Sequence, residues 1–315
     1  MSAKIKVGVV GVGALGQWHT RIYSEMPEAE LLGVYDVNPA RAAEIAAQYG
    51  TRAFENLEDL ARAVDAVSVV VPTEHHHAVF TQLAKHGRHM LMEKPIASTT
   101  DQAEDMVRLA NARGLILQVG HVERFNPVLQ FLEENLTEPR FMEVIRLAPF
   151  PPPRPDAPPR GTDVSVVLDL MIHDLEIILH LVHSPVREIH AVGVPVLSGT
   201  EDLANVRLVF ESGCVANVTA SRISQERMRK IRVFQPDTYV SLDYMNQTGQ
   251  LMRKTARGIE ATEVPIVKGE PLALELAAFV ACVRDRRDPL VSASHASRAL
   301  NLAVEICRHI RERPS

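Results

Sequence analysis

Cysteine is scarce in this sequence: Cys214, Cys282 and Cys307 are the whole supply. They lie far apart and no two have C-x-x-C spacing, so neither a zinc site nor a disulfide framework is expected. A reducing, cytoplasmic setting suits such a chain. Long apolar runs are also missing. None reaches the roughly 18 residues of a membrane span, and the first residues carry no charged-then-apolar leader, so neither anchoring nor export is expected. Nor does one sign of charge dominate, with 34 Lys and Arg against 39 Asp and Glu. Without a basic surface, nucleic acid and membranes are not expected partners. What remains is 315 residues, 46% hydrophobic and 23% charged. That is ordinary for a globular protein and long enough for two domains with cores of their own.

The most informative stretch is near the start, KIKVGVVGVGALGQWHTRIYSEMPEAELLGVYD from Lys4 to Asp36. Ile5 to Val10 is apolar and rich in β-branched residues, as a buried parallel strand is. Gly11, Gly13 and Gly16 follow as G-x-G-x-x-G, and a helical pattern begins behind them. The first glycine permits a tight turn, the second lets a pyrophosphate approach the backbone, and the third lets the helix pack close. The helix N-terminus adds free N–H groups and a partial positive charge. A second apolar run, Leu31 to Tyr35, ends in Asp36, about 20 residues past the last glycine, where a carboxylate accepts hydrogen bonds from a ribose diol and repels a 2′-phosphate. A lone glycine motif is weak evidence. Strand, glycines, helix, strand and acid together point to a dinucleotide, NAD before NADP. Asn38 and Arg41 also lie near the ribose end, and an arginine there leaves use of the 2′-phosphate open.

The rhythm of strand and helix continues. Helices are expected over Pro39 to Tyr49, Asn56 to Ala63, His75 to His86 and Thr99 to Ala112. Strands are expected over Asp65 to Val71, His89 to Met92 and Leu115 to Val119. The alternation argues a doubly wound parallel sheet in residues 1–120. Residues 121–315 then read as a second domain. A helix over Asn126 to Asn135 and a strand over Phe141 to Leu147 precede the tract PFPPPRPDAPP, which suits only an extended loop. Asp163 to Val182 is strongly periodic as a helix, Val186 to Ile266 alternates apolar segments with turns, and helices over Leu272 to Arg284 and His295 to Arg311 close the chain. The fold class is α/β: an N-terminal Rossmann doubly wound parallel sheet, then a C-terminal α+β domain with a large, mostly antiparallel open sheet.

Three places carry candidate chemistry. Lys94, in Met92-Glu93-Lys94-Pro95, follows a buried strand and so lies at the carboxyl edge of the sheet, where open α/β folds bind ligands. Asp169 and His173 stand i, i+4 on the helix VSVVLDLMIHDLEIILHLV and share one face. They interrupt an otherwise apolar helix, with Glu176 and His180 extending the polar stripe. A histidine beside a carboxylate is a natural proton acceptor; a satisfied core pair is the plainer alternative, and no further ligands support a metal. Of His75, His76 and His77 only one can face a common ligand. Arg124, Arg154 and Arg160 are possible phosphate partners, each also an ordinary surface arginine.

With these residues assembled, the chain resembles the Gfo/Idh/MocA oxidoreductases over essentially its whole length. The matching pieces are GVGALGQWH at Gly11 to His19, VPTEHH at Val71 to His76, EKP at Glu93 to Pro95, and the later aspartate and histidine. The resemblance implies a Rossmann domain that binds NAD, a second domain with an open sheet, and assembly as a homodimer or homotetramer. It implies a cofactor site drawn from Gly11, Gly13, Ala14, Leu15, Gly16, Asp36, Asn38, Pro72, Thr73, His76, Glu93, Lys94 and Gln118. Lys94, Asp169 and His173 match the family's catalytic lysine, aspartate and histidine, and His121, Arg124, Arg160 and His173 are implied as substrate contacts. No metal is implied. GHVERFNP at Gly120 to Pro127 and LDLMIHDLEIIL at Leu168 to Leu179 look most like the UDP-N-acetylglucosamine 3-dehydrogenases of the family, whose 3-keto product passes to an aminotransferase for lipid A type 3-amino sugars. Many relatives carry D-x-G-x-H where Met171 stands in place of the glycine here. A dehydrogenase of a free sugar or polyol, and a non-catalytic NAD-binding regulator, are the alternatives.

Overall fold

The computed structural model describes residues 4–153, 159 and 161–312. The chain divides into two compact units, residues 1–124 with 270–297, and 125–269 with 298–315.

In the first unit the strands are β1 (Ile5–Val10), β2 (Ala29–Tyr35), β3 (Arg52–Ala53), β4 (Ala66–Val69), β5 (His89–Glu93) and β6 (Leu117–Gly120). Among the described residues they form a six-stranded sheet in the order β3-β2-β1-β4-β5-β6, with every neighbouring pair parallel. Strand order reverses between β1 and β4, the place where such sheets bind ligands. Val7, Val9, Val67 and Val69 have no exposure at all, because helices cover both faces of a parallel sheet. Two-residue β3 carries too few residues for any periodicity to show.

Helices start where side chains can cap them. Asn38, Asn56 and Thr99 accept the first free N–H groups of the helices Pro39–Gln48, Leu57–Ala63 and Thr100–Ala112. The helix expected from His75 instead opens with a 3₁₀ turn, Thr73–His75, ahead of His76–Lys85.

One element departs from the expected division at residue 120. The helix Pro271–Asp285 belongs to the first unit, not to a continuous second domain. Its apolar face explains the return: Leu276, Phe279, Val280, Cys282 and Val283 join the same buried cluster as Val7, Val9, Ile22 and Val34. Beyond it, Val119 donates its N–H to the Val291 carbonyl at 3.0 Å, so residue 291 lies along the β6 edge.

The second unit is built on an eight-stranded sheet among the described residues. Its strands are β7 (Phe141–Leu147), β8 (Val186–Val194), β9 (Leu203–Phe210), β10 (Val215–Ser221), β11 (Met228–Phe234), β12 (Thr238–Asp243), β13 (Thr248–Thr255) and β14 (Gly258–Glu263). They run β14-β13-β12-β11-β7-β10-β9-β8, antiparallel except where β7 meets β10. Along β7 buried and half-buried residues alternate, so one face is packed. After β7 the chain has no regular structure over residues 149–153, while residues 154–158 and Arg160 lie outside the described residues.

The helix expected from Asp163 begins later, as a π-helical turn over Val167–Met171 that runs on as α-helix through Ile172–Val182. Residues 161–164 stay outside it because the carbonyls of Gly161 and Val164 accept hydrogen bonds from the Arg222 guanidinium instead of from helical N–H groups. Among the described residues no helix is long and apolar enough to cross a membrane.

Candidate active site

The turn after β1 uses its three glycines differently. Gly11 has φ of +83°, and a Cβ there would stand 2.4 Å from the Val70 carbonyl oxygen, so only glycine lets the chain pass the end of β4. At Gly16 a Cβ would stand 1.8 Å from the Gly11 carbonyl oxygen, which is how close the helix Gly16–Glu25 packs. Gly13 is exposed with nothing within 4 Å of its would-be Cβ. That open backbone, with exposed Ala14 and half-buried Leu15 leading into a helix N-terminus, is what a pyrophosphate requires. Asp36 takes the N–H of Val12 on Oδ2 at 2.8 Å and the N–H of Asn38 on Oδ1 at 2.9 Å, which orients the carboxylate at the rim of the turn. Asn38 itself uses its side-chain oxygen to cap a helix. Arg41 donates through Nε to the Val12 carbonyl at 2.9 Å and through a terminal nitrogen to Gln17 Oε1 at 3.1 Å, and pairs through the other with Glu44 at 2.9 Å. Its guanidinium is committed to the turn, so the residues present fit a dinucleotide with a free ribose diol.

The loops after β4, β5 and β6 adjoin. Exposed Pro72 and half-buried Thr73 follow β4. Of the three histidines, His76 is the buried one: Nε2 lies 3.0 Å from the Val71 carbonyl and Nδ1 2.9 Å from that of Pro95. It ties the β4 loop to the Lys94-Pro95 turn, and its ring nitrogens both face backbone. Burial pulls its pKa below the ordinary value against the pull of those carbonyls. His75 is exposed, and His77 pairs with Asp105 at 2.8 Å.

At the end of β5, Glu93 faces His19, with Oε1 3.4 Å from Nε2, and takes the N–H of Lys94 on Oε2 at 3.2 Å. Burial alone would raise its carboxyl pKa; His19 and Lys94 overcome that and hold it below the ordinary value. Room for this carboxylate comes from Gly120, where a Cβ would stand 3.1 Å from Glu93 Cδ. His121 is 1% exposed. Burial first, then the charge of Lys94, brings its imidazole down to about 3, so at neutral pH it offers hydrogen bonds and no proton. Arg124 is 3% exposed beside it. Lys94, Glu93, His121 and Arg124 thus meet at the carboxyl ends of β5 and β6. Gln118 sits one layer deeper, wholly buried, donating through Nε2 to the Glu275 carbonyl at 3.2 Å.

In the second unit Asp169 lies in the π turn and His173 in the first turn of the α-helix, both half-exposed. π turns inside helices occur mostly at functional sites. Gly161, at φ +76°, approaches so closely that a Cβ would stand 2.4 Å from Asp169 Oδ2. The polar stripe ends separately: Glu176 is buried, and His180 pairs with Glu133 at 3.0 Å. Asp174, next to His173, is gripped from the sheet by Arg146, through Nε to Oδ2 at 2.7 Å and through a second nitrogen to Oδ1 at 2.8 Å. Arg154 and Arg160 lie outside the described residues.

Residues 5–121 match the family described as an oxidoreductase family with an NAD-binding Rossmann fold, and residues 132–237 match the GFO/IDH/MocA C-terminal domain. UDP-N-acetylglucosamine 3-dehydrogenase of Acidithiobacillus ferrooxidans is 35% identical over 309 residues, covering 96% of each chain. The chain belongs to the Gfo/Idh/MocA oxidoreductases. It is an NAD-dependent oxidoreductase of that family. A solved structure of the Acidithiobacillus enzyme superposes with a TM-score of 0.91, covering 98% of each chain. The NAD(+)-dependent scyllo-inositol 2-dehydrogenase of Bacillus subtilis is 26% identical over 97% of this chain and 93% of its own.

The motifs of a Gfo/Idh/MocA chain single out the glycines, Asp36, Lys94, Asp169 and His173 as candidates, but they pass over the buried His19, Arg146, Arg222 and Glu275. His19 stands inside the quoted GVGALGQWH and was legible as part of that motif. The other three interrupt apolar or ordinary stretches with a single charge, and only their burial, at 4%, 2% and 0% exposure, marks them.

Proposed function

We propose that the enzyme oxidises the 3-hydroxyl of UDP-N-acetylglucosamine to the 3-keto sugar. The observation that carries this is the 35% identity to the Acidithiobacillus ferrooxidans enzyme of that name over 96% of both chains. When bound, NAD supplies the hydride acceptor. His173 takes the hydroxyl proton on its imidazole, while the hydride leaves the same carbon with its electron pair. Asp169, four residues earlier on one helix, orients that imidazole and favours its charged form. Lys94 donates a hydrogen bond to the reacting oxygen and stabilises the negative charge that develops there. Arg124, which follows β6 next to the β5 end that carries Lys94, supplies a cation for the diphosphate, for which charge-assisted bonds are strong. The ketone is the substrate class of an aminotransferase, which would place the product on the way to a lipid A type 3-amino sugar. We assign the protein to the cytoplasm, as a homodimer or homotetramer.

The test is absorbance at the reduced-nicotinamide band with NAD and UDP-N-acetylglucosamine, plus an aminotransferase and amino donor to remove the ketone. A signal is expected, and Lys94→Ala and His173→Ala are expected to abolish it while NAD still raises their melting temperatures. Loss of NAD binding in both variants would make the two residues structural. No signal from the parent with NAD binding intact would move the substrate to another sugar. Protection by UDP alone supports a nucleotide sugar; its absence favours a free sugar or polyol.

A further inference from the structure

Among the described residues Arg222, 2% exposed just past the end of β10, is the largest of the fully buried side chains. Its guanidinium is used in every direction. Nε meets Asp202 Oδ1 at 2.8 Å, one terminal nitrogen donates to the carbonyls of Gly161 and of Val164, the latter at 2.9 Å, and the other donates to Ser198 Oγ at 2.9 Å and Thr200 Oγ1 at 2.8 Å. Asp202 stands behind it as a fixed anion. Besides Arg222, Asp202 collects the N–H groups of Val196, Leu197 and Ser198 within 2.9 Å. The Arg222 and Ser198 bonds overcome the effect of burial and hold the Asp202 pKa well below the usual carboxylate range. A buried charge pair with all its hydrogen bonds made is a stiff support.

What it supports is the segment that touches Asp169. Gly161 and Val164 are the two carbonyls held by Arg222, and Gly161 is the residue whose backbone leaves no room for a Cβ against the Asp169 carboxylate. From Val164 the chain turns directly into the helix, with the N–H groups of Leu168 and Asp169 on the Ser165 carbonyl at 3.0 and 3.1 Å. Both ends of the Asp169 environment, the backbone against its carboxylate and the start of its own turn, are therefore fastened to one guanidinium.

We infer that Arg222 is a positioning residue: from the end of β10 it presses the Gly161–Val164 backbone against Asp169 and so sets how Asp169 addresses His173. This rests on the reading that Asp169 and His173 handle the substrate proton. Lysine at 222 would keep the charge beside Asp202, but a single ammonium cannot reach all five acceptors in the fixed fork of a guanidinium. Alanine at 161 would perturb the same contact from the other side, by adding a Cβ at a positive φ.

The experiment compares Arg222→Lys, Gly161→Ala and Asp169→Asn in the full chain, alone and in pairs. One readout needs no substrate: the ring NMR signal of His173, assigned by its loss in His173→Gln. Arg222→Lys and Gly161→Ala are expected to move it, as Asp169→Asn does. In turnover, a shift of about 1 Å in a positioned group is worth up to roughly 100-fold, so kcat should fall by that order while KM and NAD binding stay near parental values. Arg222→Lys added to Asp169→Asn should cost no further kcat, because residues acting through one another do not add. The inference is overturned if Arg222→Lys lowers only the melting temperature and leaves kcat and the His173 signal parental, or if its loss adds in full to that of Asp169→Asn. Parental turnover and an unmoved signal in Asp169→Asn would sink the proton-handling reading together with this one. A parent inactive on UDP-N-acetylglucosamine would sink only the substrate, and the His173 signal would still decide on Arg222.

Discussion

Glu275 shows what a single residue can say once its surroundings are known. It is wholly buried, and neither carboxyl oxygen has a hydrogen-bond partner among the described residues. Burial first, then the nearby charge of Glu93, raises its pKa well above the ordinary 4.5. Two carboxyls in one interior are pushed opposite ways: His19 and Lys94 hold Glu93 toward its ionised form, while burial and the Glu93 charge push Glu275 toward its protonated form. The native state then holds a proton that the unfolded chain has lost, so stability falls as pH rises from about 4.5 toward the raised value, at about 1.4 kcal/mol per pH unit for one proton. Glu275→Gln, neutral at every pH, removes that slope. Melting temperatures from pH 5 to 8 should decline less in the variant, which should be the more stable protein at pH 8. Parallel curves would mean that Glu275 is ionised in the fold.

Among elements, the helix carrying Asp169 and His173 depends most on what holds it. Its sequence is apolar nearly all round, which specifies burial but not rotation or register along the sheet. The fork of Arg146 on Asp174 supplies both, since Asp174 follows His173 directly and the pair is 4% and 1% exposed. Such a pair is weak evidence for stability, yet breaking it by removing one partner leaves a charge buried alone. Arg146→Ala is expected to lower stability by about 3–5 kcal/mol in urea unfolding, and Arg146→Leu with Asp174→Leu to recover most of it. A loss within about 0.5 kcal/mol would show a solvated carboxylate. The i, i+4 spacing of Asp169 and His173 was legible; the π turn around Asp169 was not, because apolar periodicity does not mark where an i→i+5 turn replaces an α-turn.

At the scale of the whole molecule, the chain leaves its first unit at residue 124 and comes back for residues 270–297. Nothing local in Leu272 to Arg284 announces this, since an amphipathic helix fits any apolar surface of the right shape. Phe279, with no exposure, lies in the cluster that also contains Val7 and Val9 of the strand leading into the glycine turn. Phe279→Ala should cost about 3–5 kcal/mol. NAD at 100 times its Kd should return about 2.7 kcal/mol, because ligand bound only to the folded state stabilises it by mass action. Scanning calorimetry with and without NAD checks both numbers; undiminished stability in Phe279→Ala would detach this helix from the core of the first unit.

The sequence by itself determined whatever depends on neighbours along the chain. Three glycines, a buried strand and Asp36 within 32 residues specify a dinucleotide turn because backbone freedom and helix polarity are local properties. The alternation of strand and helix specifies a parallel sheet for the same reason. Only the tertiary structure decided which charges are buried and which carbonyls they hold. His76 bridging to Pro95, Arg222 reaching Gly161 and Glu275 feeling the charge of Glu93 each join residues 19 to 182 positions away from one another. Burial and Coulomb interaction depend on distance in space, and no periodicity along the chain records it.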